Sequence, residues 1–358
     1  MAGGVAASRF LAPGRSRRLV IISGGAVVGA GIAGILTMNA FPLLVLSAAL
    51  VGLGGIVASS SGLALLADAT EARSRSQRFG QQIALGTMAA FAASVLAGML
   101  AAPVASAFGA KEADPLTLRA LVALGGIVGA ASAIPILFIR DVPVPRATTA
   151  HVSRLLARFV PIEVVFGLGA GSFIPFTNLF FADRFGLGFG SIGLALGSIA
   201  VAGSLGALGH GRFVASRLGP VRAVVMVEFA SLPFALAAVF SGSVVVAVLF
   251  LAARAVLMYG AQATWSAYTL SSFAPAERAA VNATLALAWS IGAAISASVS
   301  GAIRGAMGAD GFTINAVVLV ACYAVGASLV LILFRGREPQ GDAVVPDEVG
   351  AARAFAPE

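Results

Sequence analysis

The chain has 358 residues, of which 59% are hydrophobic and 43 are glycine, and only 11% are charged. Soluble domains carry about 25% charged residues, so this chain has too few polar residues to cover the surface of a soluble globule. The net charge is +8, but no basic stripe is interleaved with aromatic residues, and no nucleic-acid partner is predicted. The single cysteine, Cys322, excludes an internal disulfide and a Cys/His metal cluster, so neither a metal nor a cofactor is predicted.

Ten apolar runs are each long enough to cross, as a helix, a hydrocarbon core about 30 Å thick. A membrane β-barrel would show short alternating segments instead, so an all-α integral membrane protein with about ten transmembrane helices is predicted. In chain order the predicted spans are 19–38, 41–66, 81–103, 118–139, 159–181, 189–209, 221–240, 244–270, 280–303 and 313–334.

The basic residues predict the orientation and the division of these spans. Of the 23 basic residues, 18 lie in one alternate set of connections and four in the opposite set, so both termini are predicted to be cytoplasmic. The longest polar connection, 140–158, is predicted to be a cytoplasmic linker between two bundles. It separates an incomplete N-terminal bundle of four spans (1–139) from a six-helix bundle (159–334). Residues 335–358 are predicted to be a disordered cytoplasmic tail.

An internal repeat supports this division. The segments 75–98 and 278–301 align at an offset of 203 residues, and each begins with an arginine and continues into a span rich in small residues. They match the third span with the ninth, so the repeat unit is six helices. An even unit keeps its orientation and predicts parallel repeats about an axis normal to the membrane.

Two loops carry a resemblance to a known family. The major facilitator superfamily (MFS) of secondary transporters places a G-x-x-x-D-R-x-G-R-R loop between its second and third helices and a degenerate copy between the eighth and ninth. This sequence resembles that family at both places, although serine stands where the family has aspartate. As residues of a cytoplasmic gating loop we identify Gly4, Ser8, Arg9, Gly211, Ser216, Arg217 and Gly219.

The resemblance implies a two-bundle helical transporter that works by alternating access and lacks the family's first two helices. We therefore expect a late start codon or a truncated gene. We also expect a monomer in a bacterial inner membrane that moves a small organic molecule, driven by protons, with efflux favoured. The alternative is a truncated or degenerate relative that acts as a non-transporting membrane partner protein.

Placing an ionisable side chain deep within a membrane span costs free energy, so residues of this kind are candidates for a functional role. Arg254 lies near mid-membrane, where it could bind an anionic substrate group or form a structural ion pair with Glu228. Glu163 could carry a transported proton or point back to the loop. The amides of Asn178 and Gln262, on spans that the family uses to line its cavity, could bind a polar substrate or neighbouring helices.

Three aromatic residues share the span of Arg254, and both cavity-facing and packing positions remain open for Tyr259, Trp265 and Tyr268. The sequence contains no glycine-rich phosphate loop with lysine, no histidine cluster and no nucleophile motif, so no enzymatic activity is predicted.

Overall fold

The computed structural model describes residues 16–71, 74–112, 114–138, 152–274 and 277–335, and within these ranges every regular element is helical. The predicted linker and tail, together with Gly4, Ser8 and Arg9, lie wholly or largely outside the described residues. The long helices are α1 Arg17–Thr37, α2 Phe41–Asp68, α3 Arg75–Ala107, α4 Pro115–Ala131, α5 Val152–Phe173, α6 Phe189–His210, α7 Pro220–Phe240, α8 Val244–Ser271, α9 Arg278–Met307 and α10 Gly311–Phe334.

The prediction of ten spans is confirmed. Nine helical segments of the described chain are long and apolar enough to cross a membrane, and the last of them, Arg278–Phe334, has 57 residues. That segment is two antiparallel helices, because the Asn315 side chain on α10 donates to the Ser300 carbonyl on α9 at 3.3 Å. The reversal begins at Gly308, whose φ of +60° is a conformation that glycine adopts without strain.

Proline and glycine mark several of the helix ends. Pro115 and Pro220 each occupy the first position of a helix, where no backbone N–H is needed. Gly219 precedes α7 with a φ of +78°. Helix α5 gives way to a 3₁₀ turn at Ile174–Phe176, which contains a proline, and the chain then continues as the short helix Thr177–Phe185.

The helices form two groups, which we call the four-helix half (α1–α4) and the six-helix half (α5–α10). In the four-helix half α1 packs closely on α2, where Gly24 meets the backbone of Gly54 and Ala58. In the six-helix half α5 packs on α9, where Gly167 lies directly against the Trp289 carbonyl. Small residues allow this close approach, and close packing and interhelical hydrogen bonds hold helices together in lipid.

The two halves meet mainly through α3 and α6, which run antiparallel along nearly their whole length. Gly80 lies against the Ala207 carbonyl near one end of this pair, and Gly98 lies 3.2 Å from the Phe189 carbonyl oxygen near the other, measured from the position that a Cβ would take. Contacts of α8 with α3 and of α9 with α2 complete the interface. The halves are therefore in contact, but among the described residues the main hydrophobic core lies within the six-helix half and does not extend into the other half.

Candidate functional site

Three arginines begin helices at one end of the bundle, which we call the arginine-rich end. Arg17 begins α1, Arg75 begins α3 and Arg278 begins α9. Their exposed fractions are 4%, 7% and 9%, so all three are buried although they lie at helix ends. Together with Asp68 and Ser271, the last residues of α2 and α8, we call them the arginine cluster.

Asp68 joins the two halves of the molecule. Its Oδ2 lies 2.6 Å from Arg17 Nη2 within the four-helix half, and its Oδ1 lies 2.8 Å from Arg278 Nη1 in the six-helix half. The carboxylate is also largely buried, at 11% exposed. A buried carboxylate with two guanidinium partners is strongly coupled to both, because removal of one partner leaves a buried charge uncompensated.

Two arginines of the cluster make equivalent contacts within their own halves. Arg75 Nη2 donates to the Ala67 carbonyl at 3.0 Å, and Arg278 Nε donates to the Leu270 carbonyl at 2.9 Å. In each case the acceptor lies eight residues before the arginine. Both arginines therefore occupy a carbonyl at the C-terminal end of the preceding helix, where a positive charge is favoured.

The same two arginines also make reciprocal contacts between the halves. Arg75 Nη1 donates to Ser271 Oγ at 2.9 Å, whereas Arg278 Nη1 donates to Asp68 Oδ1 at 2.8 Å. Each pair of counterparts, Arg75 with Arg278 and Asp68 with Ser271, is 203 residues apart. The sequence repeat thus corresponds to a pair of reciprocal contacts across the interface, as parallel repeats about a single axis require.

An apolar layer lies beside the arginine cluster. Phe79 of α3 is fully buried and packs in one cluster with Ala67 of α2 and with Ala267 and Leu270 of α8. Close by, the Asn282 amide of α9 donates to Ser60 Oγ of α2 at 3.1 Å. Helices α2, α3, α8 and α9 are therefore held together at this end by both apolar and polar contacts.

A second group of polar residues lies inside the six-helix half. Arg254 on α8 and Glu228 on α7 are 8% and 5% exposed. They form no ion pair of 4.0 Å or less; the Arg254 guanidinium lies instead over the Tyr323 ring of α10, 5.0 Å from its centroid. Glu228 Oε2, Arg254 Nε and Arg254 Nη2 are buried without a hydrogen-bond partner.

Glu163 on α5 belongs to the same group. Its Oε1 accepts a hydrogen bond from the Trp265 indole N–H at 2.9 Å, and it lies within electrostatic range of Glu228. The indole is held by neighbouring aromatic rings, with the Phe159 centroid at 5.3 Å and the Phe334 centroid at 5.7 Å. We call Glu163, Glu228, Arg254 and Tyr323 the buried charge cluster.

Comparisons with known proteins identify the architecture. No protein-family model matches the chain, and no curated protein matches it. Among solved structures it is similar to a bacterial homologue of the iron transporter ferroportin in an outward-facing state, with 16% identity and a TM-score of 0.67, covering 92% of this chain and 85% of that one. It is also similar to the human organic anion transporter MFSD10, with 17% identity, a TM-score of 0.66, and coverage of 92% and 83%.

A third similar structure is described as a major facilitator superfamily transporter. This is the MFS transporter FucP in its outward conformation, with 14% identity, a TM-score of 0.66, and coverage of 88% of this chain and 83% of that one. The chain has the major facilitator fold. The predicted fold class is therefore confirmed, and the parallel six-helix repeat agrees with the reciprocal contacts of the arginine cluster.

Within the MFS fold, the second copy of the loop motif follows α6 directly. Gly211 begins a π-helical turn, and Ser216 and Arg217 belong to a short helical turn in which Ser216 Oγ donates to the Arg212 carbonyl at 2.5 Å. Gly219 then takes its positive φ before α7. The motif therefore forms a helical connection.

Asn178 and Gln262 lie apart from both clusters. Asn178 is exposed in the short helix Thr177–Phe185. The same helix carries Asp183, which pairs with Arg304 at the end of the molecule opposite the arginine cluster. Gln262 is exposed on α8. Their part in substrate binding stays a prediction. No group of three or more metal-binding side chains occurs among the residues that the structure describes.

Sequence reasoning missed the role of the arginine cluster. It treated Arg75 and Arg278 as loop residues that mark the start of the repeat, and it did not single out Arg17 or Asp68. The usable signal was the repeat itself, because an offset of 203 residues also pairs Asp68 with Ser271. An alignment extended toward the N-terminus by one helical turn or two would have included both acceptors.

Proposed function

We propose that this protein is a secondary transporter that moves a small organic molecule across a membrane by alternating access, coupled to protons. The observation that carries this proposal is that the halves are joined by hydrogen bonds toward one end only. Among the described residues, the side-chain bonds between the halves are those of the arginine cluster, Asn282–Ser60 and the Ser204 contacts with α3. Ser204 lies six residues before the C-terminal end of α6, toward the arginine-rich end.

The arginine cluster then acts as a gate that is closed in this structure. Cytoplasmic loops are enriched in arginine, so the arginine-rich end faces the cytoplasm and both termini lie there. A closed cytoplasmic gate corresponds to an outward-facing conformation. Similar structures are described both as outward-facing or outward and as inward-facing, so this assignment rests on the closed arginine cluster.

Transport requires the two halves to move as bodies about the interface between them. We propose that residues 1–139 and 159–334 form these bodies and that 140–158 connects them in the cytoplasm. The opposite conformation would break the reciprocal arginine contacts, because they bridge the halves. The contacts of Arg75 with Ala67 and of Arg278 with Leu270 would persist, since each lies within one half.

The proposal also includes a substrate class and a direction of transport. A small organic substrate is supported by similar structures that include an organic anion transporter. A monomer in a bacterial inner membrane remains part of the proposal. Proton coupling is supported by the two carboxyl groups of the buried charge cluster, Glu163 and Glu228, which can exchange protons; efflux is the direction that we propose. Asn178 and Gln262 remain candidates for contact with a polar substrate.

The proposal is tested by measuring whether an added small organic molecule changes the proton flux across a vesicle membrane. The purified chain is reconstituted in vesicles that contain a pH-sensitive dye, and small organic molecules are added one at a time under an imposed pH gradient. We expect at least one compound to change the proton flux. The matched control carries E71C and A274C in a C322A background. A bismaleimide crosslinks the two cysteines and keeps the gate closed, whereas a monofunctional maleimide modifies them and leaves the gate free to open.

The alternative of a non-transporting partner protein predicts a different result. No compound would then change the proton flux, and the bismaleimide and monofunctional samples would behave alike. The cysteine positions suit this comparison, because Glu71 and Ala274 are both exposed at the arginine-rich end and are 203 residues apart.

A further inference from the structure

The charges of the buried cluster do not balance. Glu163 and Glu228 supply two carboxylates, whereas Arg254 supplies one guanidinium, so the fully ionised group carries a net charge of −1. Each uncompensated ion in a low-dielectric interior costs several kcal/mol. One proton bound to either carboxylate makes the group neutral, and this count sets the number of exchangeable protons at one.

The surroundings of the cluster limit what can bind there. Arg254 and Glu228 are each more than nine-tenths buried, and their neighbours belong to α5, α8 and α10 of the same half. The edge of the guanidinium formed by Nε and Nη2, which suits a carboxylate, has no hydrogen-bond partner and is fully enclosed. An organic substrate between the halves has no access to this edge, whereas a proton passes along polar groups. Arg254 therefore supplies a buried positive charge to the cluster and is not a substrate ligand.

One hydrogen bond connects the cluster with the gate. The Trp265 indole donates to Glu163, and Trp265 lies six residues before Ser271 on α8, a rise of about 9 Å. Between them, Tyr268 stacks on Trp265 with ring centroids 5.7 Å apart. The last two residues of α8, Leu270 and Ser271, accept from the two gate arginines.

We propose that Trp265 transmits the protonation state of Glu163 to the gate, and that Glu228 and Arg254 set the charge that surrounds Glu163. This inference rests on the proposed function. The proton adds to a carboxylate oxygen of Glu163, an O–H bond forms, and the cluster changes from −1 to neutral. The Trp265 bond then changes from charge-assisted to neutral and loses about half its strength. The last turns of α8 are held less firmly, and the gate opens.

Few other titratable groups face Glu163. Helix α7 contributes Glu228, α8 contributes Arg254 and Tyr268, and α10 contributes Tyr323. Helix α6 places the buried His210 beside Trp265, with its Nδ1 2.8 Å from Oγ1 of the adjacent Thr264. On the described part of α9 the charged residues lie at its two ends, where Arg278 contacts Asp68 and Arg304 contacts Asp183. A change of Trp265 with pH therefore originates either within the buried charge cluster or at His210, and E163Q distinguishes the two sources because it removes only the first.

The first experiment reads the proton at Trp265 directly. The chain has two tryptophans, so W289F leaves Trp265 as the only fluorescent indole. Trp289 is 40% exposed on α9, and W289F serves as the parent and control. We expect the fluorescence to follow a single titration step that E163Q abolishes and E228Q displaces. A titration step that survives E163Q overturns the proposal.

The second experiment measures the gate without any substrate. Spin labels at E71C and A274C in a C322A background report the separation of the halves by electron–electron resonance. We expect acidification to increase the long-distance population, E163Q to show that population at every pH, and W265F to lose the response while W289F retains it. A pH response that is equal in W265F and W289F overturns the role of Trp265.

The two proposals fail in different ways. If no compound moves protons in vesicles but the labels still respond to pH through Trp265, the transport function is wrong and the proton link stands. If a compound is transported but neither the fluorescence nor the label distance responds to pH, the transport function stands and the proton link is overturned.

Discussion

The contact between Arg278 and Asp68 is the most informative one to break, because it joins the two halves. R278Q removes a charge-assisted hydrogen bond of 2.8 Å at a site where both partners are about one-tenth exposed. Such a bond contributes about 1.5–3 kcal/mol. At about 1.4 kcal/mol per factor of ten, the ratio of open to closed gate should rise about 10- to 150-fold.

D68N gives a useful contrast, because it also removes the carboxylate that Arg17 contacts at 2.6 Å within the four-helix half. The Arg17 contact is present whether the gate is open or closed, so its loss lowers stability without favouring either state. Loss of one partner from a buried pair costs about 3–5 kcal/mol. We therefore expect D68N to open the gate as R278Q does and to unfold at a lower temperature than R278Q.

The assay is the distribution of distances between spin labels at E71C and A274C. The double variant D68N/R278Q should open the gate no further than the single variants do, because all three lack the same bond. R304Q is the matched control: it removes the Arg304–Asp183 ion pair, which lies within the six-helix half at the opposite end. If R278Q leaves the distance distribution as it is in the parent protein, the arginine cluster does not hold the halves together.

Three further predictions follow from the same contacts. S271D places a carboxylate at the counterpart of Asp68, next to Arg75 Nη1, and should increase the closed population several-fold in the label assay, whereas S272D should not. G167A forces a methyl group against the Trp289 carbonyl and should lower stability by about 1–3 kcal/mol in thermal unfolding, whereas G86A, with nothing within 4 Å, should not. T87C/S204C in a C322A background replaces two hydroxyls 2.6 Å apart and should form a disulfide on oxidation, detected by loss of free thiols relative to T87C alone.

The ten helices could be predicted because the bilayer sets their length and their apolar character. Several predicted spans were shorter than the helices: the third was placed at 81–103, whereas α3 is Arg75–Ala107. The fourth erred the other way at its end, since 118–139 extends past Ala131, where α4 ends. Hydropathy detects only the part of a helix that contacts hydrocarbon. In this protein the additional residues at the start of α3 include Arg75 of the arginine cluster and Phe79 of the apolar layer beside it.

The candidate site could be predicted only in part. The depth of Arg254 and Glu228 followed from their positions in the spans, but their neighbours did not. Arg254 lies over Tyr323, which is 69 residues later in the chain, and Glu163 accepts from Trp265, which is 102 residues later. Such contacts depend on which faces of the helices meet, and one sequence without tertiary packing does not contain that information.

The repeat explains why the gate and the proton cluster are organised differently. A gate between two halves needs complementary groups on both, and Arg75 and Arg278 accordingly have counterpart contacts. A proton site needs only one half, and the positions 203 residues before Glu228, Arg254 and Trp265 are Gly25, Val51 and Gly62. Because only the six-helix half carries the cluster, protonation acts on one side of the reciprocal gate. That side supplies one of the two reciprocal contacts directly: Ser271 at the end of α8 accepts from Arg75 of the other half, so loosening the end of α8 weakens this contact between the halves.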